Sequence, residues 1–360
     1  MELIPEVKNL KREELYKVLS RMPVSQILTN GVEISDELRN TLIEFDEYYY
    51  KKFDNIVPDW ENDFETLIYK LSKYNDIDSL YFLINNYGYN NDVRRYINFY
   101  AGYYNIDKIL SLPEIDDYQE IANGAAYANR LETVKYAVGE GAESFNYIAY
   151  NAALGCAYDV VVYAISKGAK NMNKIAAYAA YAGCPRIIRY ALYKGAHDLN
   201  TIAAYAALGG HLDIVKTEIS YGARDYNKIA VYAAYGGHLY IVKYLVSRGI
   251  NNFNSIAAAA VVNDHIDVVI YAFYKGANNI SYVLTIAIQY GYLDIVNFVI
   301  SMGFDNFNEI AADAALVGNL DIVKLAVKKG ADNFHQIKEY AQKGDHKDIV
   351  EYIDKILGEQ

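Results

Sequence analysis

Residues 227–253 read NKIAVYAAYGGHLYIVKYLVSRGINNF, and the same pattern returns every 27 residues on both sides. Equivalent starts fall at Gln119, Asn146, Asn173, Asn200, Asn254, Ser281, Asn308 and His335. Self-similarity at a period of about 20 to 50 residues marks an array whose units bury their apolar faces only against their neighbours. Within the unit, Asn227 is placed to cap a first helix reaching Tyr235, and Tyr226 before it is placed as a hydrophobic staple. Gly236-Gly237 breaks that helix. A second helix starts near Leu239 and stops before Gly249, a residue type that enters the left-handed conformation without steric cost. Each unit therefore reads as a short αα-hairpin, and the fold class as all-α, an α-solenoid of stacked helix-turn-helix units.

The apolar slots state which faces meet. Ala125, Ala152, Ala179, Ala206, Ala233, Ala260, Ala287, Ala314 and Ala341 share one slot of the first helix, where a methyl group lets neighbouring helices approach. Ile229 and its equivalents lie one turn earlier on the same side. In the second helix the Ile241-Val242 pair recurs in every unit in branched form, from Thr133-Val134 to Ile349-Val350. These positions are the expected core.

Charge and composition narrow the function classes. The net charge is −11, which argues against affinity for phosphate backbones or anionic membranes, since both reward Lys/Arg clusters. Neither nucleic acid nor membrane is an expected partner. No apolar run approaches about 18 residues, and MELIPEVKNL lacks the basic and apolar regions of a secretory signal. The two cysteines, Cys156 and Cys184, sit near inter-helix turns and read as reduced thiols. A cytoplasmic protein is the expectation.

Residues 1–64 do not follow the repeat and carry 8 basic against 14 acidic residues, with helical periodicity over 13–22 and 36–53. They are expected to form a small helical N-terminal module. Residues 65–360 are read as about eleven 27-residue units. The first two, 65–91 and 92–118, are divergent, and the last turns polar as a C-terminal cap.

GGHLDIVK at 209–216, GGHLYIVKYLVSRG at 236–249 and GNLDIVKLAVKKGAD at 318–332 resemble the second helix and following turn of ankyrin repeats. That resemblance implies a protein-binding array and no catalysis. The period here is six residues short of the family's, and the missing residues fall where the family carries a β-hairpin finger. Short loops in place of fingers are therefore expected. EELYKVLSRMPVSQIL at 13–28 is similar to the start of an F-box, which implies an adaptor that recruits a ubiquitin ligase subunit. Large-genome DNA viruses join such elements to ankyrin arrays, and the richness in Asn, Ile, Tyr and Lys resembles their coding. A structural component of a viral particle is the third reading.

No nucleophile elbow, phosphate loop, dinucleotide fingerprint or zinc-protease motif is present, so no catalytic residue, metal or cofactor is assigned. His211, His238 and His265 share one slot, but helices stacked about 8–10 Å apart cannot bring them to one zinc ion with ligand distances of about 2 Å. Turn and capping roles are expected instead. Asp159, Asp213, Asp267, Asp294, Asp321 and Asp348 open second helices, where a carboxylate favours the helix dipole. The candidate site is the row Tyr147, Tyr150, Tyr178, Tyr181, Tyr205, Tyr232 and Tyr235, opposite the alanine slot on the first helices. Tyrosine suits a protein interface because it offers a broad ring and a hydroxyl at low entropic cost. The residues leave two readings open: an exposed concave binding row, or rings packed between units as expected for Tyr163, Tyr190, Tyr244 and Tyr271.

Overall fold

The computed structural model describes residues 68–69, 72–73, 91–105 and 115–358. The proposed N-terminal module, its F-box-like stretch and much of the two divergent units lie outside the described residues. Those that are described form nineteen α-helices and no strand, so hairpin fingers are absent among them. They fall into two compact units, one ending at Asn171 and one beginning at Met172.

The first unit holds α1 (Asn91–Tyr104), α2 (Tyr118–Tyr127), α3 (Leu131–Gly139), α4 (Phe145–Leu154) and α5 (Tyr158–Ser166). The second begins with α6 (Met172–Tyr181), α7 (Pro185–Tyr193), α8 (Leu199–Leu208), α9 (Leu212–Tyr221), α10 (Tyr226–Tyr235), α11 (Leu239–Val246) and α12 (Phe253–Val262). It continues through α13 (Ile266–Tyr274), α14 (Ile280–Tyr290), α15 (Leu293–Ser301), α16 (Phe307–Val317), α17 (Leu320–Lys329), α18 (Phe334–Lys343) and α19 (Lys347–Gly358). Inside each unit a helix packs on its hairpin partner, and successive first helices pack side by side.

The core is the one the repeat implies. All nine slot alanines are 0 % exposed, as are Ile229 and its eight equivalents. Ile241 and Val242 are likewise closed off, whereas Val350 of the last hairpin is only half-buried. Methyl groups at the closest approach explain why hairpins pack without fingers: nothing larger separates the first helices.

Asn227 does not cap its helix. The helix starts one residue earlier, and Asp225 is the N-cap, its carboxylate accepting from the Lys228 amide at 3.0 Å. Asp198 caps α8 in the same way through the Thr201 amide. The asparagine slot serves the next hairpin instead. Asn173 Oδ1 accepts from the amides of His197 (2.7 Å) and Asp198 (3.0 Å), and Asn200 Oδ1 from Arg224 (2.8 Å) and Asp225 (2.9 Å). Asn146 does the same for Lys170 and Asn171, and Asn308 for Asp332 and Asn333. A capping side chain reaches only the first turn of its own helix, so an asparagine one residue inside is left to satisfy the neighbour's turn.

Cys156 and Cys184 lie in inter-helix turns as expected, but neither is a free thiol, which corrects the expectation of reduced cysteines. Among the described residues no helix is long and apolar enough to cross a membrane.

Candidate interaction face

The seven candidate tyrosines occupy three environments. In the first unit Tyr147 is 59 % exposed, while Tyr150, 5.9 Å away edge-on, is 8 % exposed and belongs to the core of α4. In the second unit Tyr178, Tyr205 and Tyr232 are half-buried. Their rings run as a ladder, 6.1 Å from Tyr178 to Tyr205 and 5.8 Å from Tyr205 to Tyr232. Burial, then the neighbouring phenols Tyr232 and Tyr178, push the Tyr205 hydroxyl above its ordinary value. Tyr181 and Tyr235, at the C-terminal ends of α6 and α10, are 44 % and 45 % exposed.

These last two rings flank an open cleft of ≈ 720 Å³. Its other walls are Leu208, Gly209, Gly236, His238, Asn263 and His265. The histidines hold N-cap positions of second helices but make no cap bond with their side chains. Each imidazole reaches back to the first helix of the preceding hairpin: His211 Nε2 to Tyr181 O (3.0 Å), His238 to Leu208 O (3.0 Å) and His265 to Tyr235 O (3.1 Å). A carbonyl only accepts, so Nε2 carries the proton in all three. The bond satisfies a C-terminal carbonyl that the helix itself leaves orphaned. The bond persists in the later hairpins, with Tyr292 donating to Val262 O, Asn319 to Ile288 O and His346 to Leu316 O. Burial lowers the His238 pKa, and the imidazoles of His265 and His211 add to the effect against the raising pull of the Leu208 carbonyl.

The glycine pairs before His211 and His238 make room for these bonds. A Cβ on Gly236 would collide with the Leu208 carbonyl oxygen. One on Gly237 would stand 2.5 Å from the His265 ring, at a backbone φ of +74° that side chains rarely adopt. The cleft therefore owes its floor to missing side chains.

The second-helix tyrosines behave differently. Lys216 of α9 lies over the ring of Tyr244 on the next hairpin at 5.6 Å, and Lys243 lies over Tyr271 at 5.5 Å. One buried group escaped the sequence reading: Glu218, on α9, is 2 % exposed with its Oε2 unpartnered. Burial alone pushes its pKa up to about 7. The signal was present in the repeat, since the same slot holds Ala191, Leu245 and Ala272 in neighbouring hairpins.

A search of curated proteins finds no match to the chain. Residues 176–256 match the family model for ankyrin repeats (3 copies). That match, falling on the same hairpins that carry the tyrosine ladder and the cleft, supports an ankyrin-repeat protein.

Proposed function

We propose that this chain is a non-catalytic scaffold that captures a protein partner through the tyrosine-bearing face of its first helices. Ankyrin repeats are generic protein–protein interaction modules and typically carry no catalysis. The observation that carries the reading is the pairing of exposed Tyr181 and Tyr235 across the cleft, beside the half-buried ladder of Tyr178, Tyr205 and Tyr232. Such an arrangement supplies the mix an interface core uses: rings already held in place by packing, next to rings free to be covered. Tyr147 offers an exposed ring of the same kind in the first unit, with Tyr150 beneath it as support.

Affinity capture from the native cell, with mass spectrometry, identifies the partner. Replacing Tyr181 and Tyr235 by Ser is expected to abolish its capture while leaving the thermal melt in place. Replacing Tyr178, Tyr205 and Tyr232 together extends the test to the half-buried rings. Full capture by both variants would remove the tyrosine face from the interface.

A further inference from the structure

The second unit carries an electrostatic contrast on its other face. Residues 185–275 hold nine Lys/Arg against six Asp/Glu, in a chain with 34 against 45. Of the six carboxylates, Glu218 is buried, Asp198 and Asp225 cap first helices, Asp264 lies in the turn before α13, and Asp213 and Asp267 lie in the first turns of α9 and α13. No exposed carboxylate follows the first turn of α7, α9, α11 or α13. The cations there are exposed, and Arg189, Lys216 and Lys243 occupy one slot in three successive hairpins.

Aromatic rings hold many of these cations. Arg248 lies 5.2 Å from the centroid of Tyr244, the ring that also carries Lys216. Lys194 sits over Tyr190 and Tyr193 at 5.5 and 5.4 Å, and Lys275 over Tyr271 and Tyr274 at 5.6 and 5.3 Å. Tyr193 and Tyr274 are each 81 % exposed, so the rings that seat the cations also stand open to a ligand. A charge resting on a ring loses less side-chain freedom when it pairs with an anion than one waving in water.

We propose that the second-helix face of residues 185–275 captures an acidic, extended segment of a partner protein. The spacing fits a peptide. Hairpins about 8–10 Å apart match three residues of extended chain at about 3.3 Å each, so a carboxylate at every third position meets a new rung. The net charge of −11 repels a polyphosphate at long range more than it repels a segment with a few carboxylates. The face is distinct from the tyrosine row of the first helices, and the two readings stand or fall separately.

The test uses the full chain and a fluorescein-labelled peptide of about twelve residues with Glu at every third position, read by anisotropy. Binding that weakens with salt, and weakens about tenfold or more in Lys216→Glu/Lys243→Glu, is the expected result. The neutral Lys216→Gln/Lys243→Gln pair is expected to lose part of the affinity with an unchanged melt. Lys328→Glu/Lys329→Glu, away from this face, is expected to bind as the parent does. Equal binding of a Gln-for-Glu peptide, or unchanged affinity in both Lys216/Lys243 variants, would overturn the proposal. So would tighter binding of a single-stranded RNA of similar length, or self-association of the chain that the charge reversal abolishes.

Discussion

A carboxylate in a methyl-lined slot has nowhere to place its charge, and Glu218 is in that position. Its Oε2 has no hydrogen-bond partner, and its pKa is raised to about 7 by burial. A group held above its ordinary value contributes stability that is present below that ordinary value and is lost as pH rises through the folded value. The parent is therefore expected to lose stability between about pH 4.5 and 8, by on the order of 3 kcal/mol. Glu218→Leu, the residue that Leu245 already places in this slot, should flatten that slope and raise the melting temperature more at pH 8 than at pH 5. Thermal melts across that range decide the matter, and equal slopes in both proteins would refute it. Ala233, 0 % exposed at the closest helix approach, makes the opposite case. There Ala233→Leu is expected to cost roughly 1–3 kcal/mol by overpacking, read from denaturant midpoints.

Between hairpins the recurring devices are two short polar links. Asn200 satisfies two amides of the following turn, at 2.8 and 2.9 Å. Both amides belong to exposed residues, so water replaces part of the loss. Asn200→Ala is expected to cost about 1 kcal/mol, and Asn200→Asp, which keeps the acceptor, less. Faster hydrogen exchange at Arg224 and Asp225 in the alanine variant, with other turns unaffected, would locate the loss. The histidine link depends on its glycine. Gly237→Ala places a methyl group 2.5 Å from His265 at a φ of +74°, and is expected to cost roughly 1–3 kcal/mol, measured by chemical denaturation.

Across the second unit, each hairpin meets only its neighbours, so the period itself is a unit of construction. Deleting residues 227–253 joins Tyr226 to Asn254 in register and is expected to leave a cooperative melt and unchanged helicity per residue. Deleting residues 227–246 breaks the register and is expected to lose cooperativity. Circular dichroism separates the two. The distribution of charge works at the same scale: cations outnumber acids nine to six in residues 185–275 and are outnumbered by them elsewhere, which no single repeat reveals. Net charge alone points away from anionic ligands, whereas its segregation onto one set of helices points to a short acidic one.

The nine-fold return of alanine and branched residues at 27-residue spacing determined the hairpins, their breaks at glycine and their buried faces. A side chain that recurs at one slot faces the same neighbour each time, so burial was legible in the pattern alone. Side-chain reach was not. Asn227 and Asp225 are both good caps by type, and only the backbone around Tyr226 decided which one bonds its own helix and which slot bonds the next. The histidines read as turn residues, yet their partners are carbonyls about 30 positions back. The tyrosine row divided by slot: Tyr150 shares its slot with buried Ala177 and Ala204, Tyr178, Tyr205 and Tyr232 share a half-covered one, and Tyr181 and Tyr235 an open one. The 27-residue register separates the three slots, but only the packing of neighbouring helices decided how far each is covered.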